Sequence, residues 1–236
     1  FYLHFQYICW FTFAIFGLLL HWLQKAGVYP PSRKMKVVFW LLTIGAVPGY
    51  FLSIIGFYSY QWIEVLSTIA VVTHFVAAFI LFLIIIRSYK DINAVISKEM
   101  DILWKIATAA YFIKTAMQAA ILVPSLATFA FSFRPLIIGY LHLVFLCFIS
   151  FFLIGFLMHD QRIGIRSSPT AKWGLTLFIV FVLLNEVTLF WQSFCAYNSL
   201  YFNFFPSVLL WITVGMFVGL LLFVIGQRRF LRPRHQ

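Results

Sequence analysis

An all-α bundle of membrane-spanning helices is the fold class this sequence predicts, and three observations predict it. The 236 residues are 64% hydrophobic and 10% charged, with a mean hydropathy of +0.99, far outside the globular range. Seven apolar segments reach the length of about 20 residues that crosses a hydrocarbon core of about 30 Å. Lysine and arginine collect on alternate connections, as they do in short cytoplasmic loops. Helices are the only option, because an open sheet would leave backbone groups unpaired in lipid and the segments are too long for barrel strands. No separate soluble domain fits, so residues 1–236 are expected to form one transmembrane domain.

The expected spans are 2–25, 37–57, 63–87, 103–126, 135–158, 173–195 and 205–227. The first opens FYLHFQYICW with neither the basic lead nor the cleavage site of a signal peptide. It therefore reads as a chain that begins inside a helix, with upstream helices missing. The turn-rich GVYPPSRKMK ends it, YSYQW separates the second span from the third, and the amphipathic SYKDINAVISKEMD separates the third from the fourth. ATFAFSFRP, HDQRIGIRSSPTAK and CAYNSLYFNFFP complete the series with the Pro, Ser, Asn and charge of connections.

Charge then sets the orientation. Lys25, Arg33, Lys34 and Lys36 follow the first span, and Arg87, Lys90, Lys98 and Lys105 flank the connection after the third. Arg162, Arg166 and Lys172 follow the fifth, and Arg228, Arg229, Arg232 and Arg234 end the chain. These fifteen fall on one side, against Arg134 alone on the other, so the amino end is expected outside and the carboxyl end inside. The net charge of +11 needs no nucleic acid, since a basic rim facing anionic lipid of the inner membrane accounts for it. Trp62, Tyr58, Tyr60, Tyr197 and Tyr201 decorate the outer side as an aromatic belt does. Cys9, Cys147 and Cys195 show no CxxC and no pairing by spacing, and read as small packing residues.

Ionisable residues at membrane depth are expensive and face the interior or a cavity, which makes them the candidate site. Counted at about 1.5 Å per residue from each cytoplasmic end, His74, Gln118 and Glu186 lie roughly 20 Å up, His142 about 24 Å and Lys114 about 15 Å. His4 and Gln6 sit nearer the outer mouth, diverging by roughly 200° around the helix. Lys114 and Gln118 share one helix face, and Glu186 is the expected countercharge of Lys114. Asn185, Glu186, Gln192 and Ser193 make the sixth span the most polar. His4, His74 and His142 are candidate metal ligands, since neutral imidazole suits haem iron, copper or zinc. His4 and His142 are expected to face inward within about 10 Å of each other. A purely structural histidine, hydrogen-bonded to a neighbouring helix, is the plain alternative for each. Gly215 and Gly219 form a GxxxG expected to mark a close helix contact.

The stretches FYLHFQYICWFTFAIFGLL, KTAMQAAILVPSLATFAFSFRPLIIGYLHLVFLCFIS and FVLLNEVTLFWQ resemble the second half of a multi-pass membrane family common in Bacteroidota. That family is similar in its helical, histidine-bearing character to haem-copper oxidase subunit I and to the nitric-oxide-response protein NnrS. The resemblance implies a histidine-rich HAHSH-type helix upstream. It places the family's HFQ on His4 and Gln6, its YLH on Tyr140 and His142, and its NE on Asn185 and Glu186. The chain departs from it at Ile8 and Cys9, where the family has Asn-Gly, and at Cys147, where it has glycine. Three functions follow as expectations. The first is an inner-membrane redox protein with haem or copper held by histidines. The second is a transporter or channel using Lys114, Gln118 and Glu186 as a substrate or proton pathway, and the third a non-catalytic subunit partnered by other membrane subunits.

Overall fold

The computed structural model describes residues 4–57, 60–160, 163 and 168–227, and it is all helical over them, without a strand. A π-helical turn, Phe5–Phe11, leads into α1, Thr12–Lys25. After α2, Ser32–Ala46, a 3-10 turn spans Pro48–Ser53. Then come α3, Gln61–Val95, and α4, Lys98–Ala120, followed by the short α5, Pro124–Ser132. The next helix is continuous over Arg134–His159. It is built from α6, Arg134–His142, a second π-helical stretch, Leu143–Ser150, and α7, Phe151–His159. The long α8, Pro169–Tyr197, and α9, Phe205–Gln227, close the series.

Among the described residues, four helices are long and apolar enough to cross a membrane: Gln61–Val95, Arg134–His159, Pro169–Tyr197 and Phe205–Gln227. A fifth joins them if the pair Lys98–Ala120 and Pro124–Ser132 counts as one broken span. That pair bends by 114°, where a straight span over 103–126 was expected. Pro124 is the cause: it pushes Val123 out of the helical region, to φ −84° and ψ 116°, and starts a new helix at its own position. Pro48 and Gly49 act similarly in the second expected span, which stops as α-helix at Ala46 and continues as a 3-10 turn. The third runs longer than expected. With 35 residues, α3 is about 52 Å long, so the stretch read as an amphipathic connection continues it to Val95.

Two serines start the helices that follow polar connections. Ser97 Oγ accepts from Met100 N at 3.3 Å and Ser168 Oγ accepts from Ala171 N at 3.3 Å, each satisfying one orphan donor of a first turn.

The core is aromatic and layered. Trp22 meets Trp104 edge-on at 4.7 Å and His159 at 5.3 Å, and Trp104 stacks on Phe152 at 5.2 Å while donating to the Phe152 carbonyl at 3.3 Å. One level along, Phe16 and Phe148 flank Tyr111, and next Phe11 meets Phe145 at 6.3 Å. These layers tie α1, α4 and the helix Arg134–His159 into one body, with Phe151, Leu103 and Val144 fully buried.

Small residues join α8 to α9. A Cβ on Gly219 would lie 2.6 Å from Phe178 N, and one on Gly226 2.5 Å from Ala171 N. Gly174 abuts the Phe223 backbone, so the two antiparallel helices touch along three levels. Gly215 abuts the Phe181 ring of the same helix α8, so both glycines of the GxxxG mark the expected close contact, and Gly226 and Gly174 extend it.

Candidate intramembrane polar site

The polar residues picked out by depth separate into two groups rather than one layer. The first is built where α2 ends early. Its terminal carbonyls project past Ala46, and His4, immediately ahead of the first π-helical turn, donates from Nε2 to the Ala46 carbonyl at 3.1 Å. His74, midway along α3, makes the same kind of bond to the Leu42 backbone. Gly49 lets the rings converge: its missing Cβ would sit 3.2 Å from His4 Cε1 and 3.5 Å from His74 Cε1. Gly45 gives His74 its room, with 3.1 Å from its own missing Cβ to Nε2. His4 is 4% exposed and His74 6%, so both rings are interior.

Spending Nε2 on α2 leaves each ring with its Nδ1. Both Nδ1 atoms are buried with no hydrogen-bond partner among the described residues. As Nε2 carries the proton, each Nδ1 is a free acceptor. Lys114, 3% exposed on α4, lies within electrostatic range of both histidines and of Cys9. Its ammonium also stands 5.4 Å from the Tyr111 ring, a cation–π distance. Gln118, one turn on and 4% exposed, has a buried Oε1 without a partner among the described residues.

The second group sits between the helix Arg134–His159 and α8. Asn185 Nδ2 lies 2.9 Å from His142 Nδ1 and donates to Glu186 Oε1 at 3.3 Å. His142 thereby accepts at Nδ1, at the last residue before the second π-helical stretch. Glu186, 6% exposed, keeps a buried Oε2 with no partner among the described residues, and Cys147 is within its electrostatic range. Both side chains line a groove of about 960 Å³ whose remaining wall is apolar, including Met117, Leu143, Phe190 and Trp191.

Two expectations need correction. Lys114 and Glu186 do not form an ion pair: the only one among the described residues joins Lys105 to Asp101 at 2.7 Å on the surface. The carboxylate instead takes the Asn185 amide, its sequence neighbour, as partner. Nor do the three histidines form one ligand set, since His4 pairs in space with His74 while His142 turns to Asn185. No group of three or more His, Cys, Asp or Glu side chains placed for a metal ion occurs among the described residues. Cys9, Cys147 and Cys195 are free thiols. Tyr58, Arg162, Arg166 and the four arginines of the carboxyl end lie outside the described residues.

Sequence reasoning missed Gly45, Gly49 and Cys9 as members of the first group, because only the fold shows that α2 ends beside His4. A signal for the glycines did exist: both flank the helix-breaking Pro48 in GAVPG.

The chain matches no known protein-family model, no curated protein and no solved structure.

Proposed function

We propose that this is a multi-pass inner-membrane protein with seven spans, its amino end outside and its carboxyl end inside, that conducts protons through His4, His74 and Lys114. The observation that carries the reading is the pair of buried, unpartnered Nδ1 acceptors on His4 and His74 beside a buried amine. An ammonium donor and two imidazole acceptors, with no carboxylate paired to them among the described residues, make a set that can hold and pass a proton. The orientation rests on the fifteen basic residues of one side against Arg134 on the other. Shortened and broken helices favour the same reading, since irregular backbone at membrane depth occurs where it lines a cavity or is covered by protein.

Reconstitution into liposomes tests it. A potassium diffusion potential should drive proton uptake that Lys114→Met and His74→Ala each reduce at least about tenfold, the loss typical for a group acting in proton transfer. Uptake no faster than in empty liposomes would refute it. A second reading, copper held through the two free Nδ1 atoms with further ligands from a partner, is favoured by those same nitrogens. Metal analysis and absorption spectra of the purified protein test that reading.

A further inference from the structure

The groove beside Glu186 has a chemistry the proton reading does not use. Its wall presents thirteen side chains, and Glu186 is the only Asp, Glu, Lys, Arg or His among them. Its volume of about 960 Å³ lies at the upper end of what small-molecule sites enclose. Asn185 is held by His142 and in turn holds Glu186 Oε1, so one carboxylate oxygen is fixed. The other, Oε2, is buried and bare.

An unpaired carboxylate against an apolar wall in a membrane is costly, and a ligand supplying both a donor and a positive charge removes the cost. A neutral alcohol supplies only the donor, and an acyl chain supplies neither. We propose that this groove binds a lipid-soluble primary amine, its alkyl chain along the apolar walls between α4 and α8 and its ammonium on Glu186. Glu186 itself lines the groove, so its carboxylate meets the ammonium there while Oε1 keeps the Asn185 amide. The resulting ammonium–carboxylate bond is of the charge-assisted kind, stronger than one between neutral groups.

Trp191, on the groove wall and 56% exposed, provides the readout. The protein is placed in phosphatidylcholine nanodiscs and titrated with dodecylamine carrying a nitroxide quencher on its chain, with dodecanol and dodecane analogues alongside. The expected result is saturable quenching by the amine that is lost in Trp191→Phe and weakened about tenfold or more in Glu186→Gln. Equal quenching by the alkane or alcohol analogue, or an unchanged titration in Glu186→Gln, would overturn the proposal. Should Glu186→Gln fail to fold, Val187→Trp decides: Val187 lines the groove and is 65% exposed, so a bulky ring there blocks the site without entering the core. Retained saturable quenching in that variant overturns the proposal and loss of it supports it. Lys114→Met, which tests proton conduction, should leave the amine titration unchanged.

Discussion

Gly219→Ala adds one methyl group where two helices meet backbone to backbone. Its carbon would stand 2.6 Å from Phe178 N, 3.0 Å from Phe178 Cα and 3.1 Å from the Gly174 carbonyl oxygen. All three neighbours are main chain, so no side chain can swing aside. Ordinary contact begins near 3.4 Å, which requires α8 and α9 to part by about 0.8 Å at this level. The same movement loosens the neighbouring contacts at Gly226 with Ala171 and Gly174 with Phe223, which lie along the same pair. Overpacking of this kind costs about 1–3 kcal/mol, and a rigid obstacle places the cost near the upper end. Gly17→Ala is the matched control, because a Cβ there meets nothing within 4 Å. In a helix interior that change should be neutral or stabilising by up to about 1 kcal/mol. The propensity gain is common to both changes, so equilibrium unfolding in mixed micelles should separate the two variants by the overpacking cost, about 2–3 kcal/mol. Equal midpoints for the two would refute the close α8–α9 packing.

Two further outcomes follow from the site. Because Lys114 and Glu186 have separate partners, Lys114→Met and Glu186→Gln should be additive in stability within about 0.5 kcal/mol, and a larger coupling in the double-mutant cycle would restore the ion pair. Asn185→Leu removes the amide shared by His142 Nδ1 and Glu186 Oε1, leaving both acceptors buried or half-buried without it, and should cost about 1–3 kcal/mol in the same unfolding assay. Wild-type stability in Asn185→Leu would show that the amide is not committed to these two partners.

Hydropathy located helical segments throughout because apolar length is a local property. It did not locate where α2 and α4 stop, although Pro48 and Pro124 marked both places. In a uniformly apolar run, a single proline changes the mean hydropathy little while removing a donor and clashing with the preceding turn. Of the residues placed by depth, His4, His74, Lys114, Gln118 and Glu186 are buried, while Gln6 and His142 are half-buried. Sorting them into partners failed, because depth fixes one coordinate and rotation about each helix fixes another. The π-helical stretches spoil that second coordinate, since residues beyond them no longer follow the 100° step from which facing is judged.

A π-helical turn differs from an α-helical one by a residue more per hydrogen-bonded ring, and so holds an insertion that the surrounding helix has absorbed. Leu143–Ser150 occupies the middle of a helix that is otherwise regular from Arg134 to His159. Winding the same eight residues as ordinary α-helix, with none removed, would turn the chain further per residue than the π ladder does. The half carrying His142 would then rotate relative to the half carrying Phe152 and Gly155. Asn185 would lose its acceptor while the Trp104 layer stayed packed. The stretch thus works as a phase shifter: it sets the angle between the Arg134 and His159 halves of one helix independently, so the aromatic core and the polar site need not share a common register.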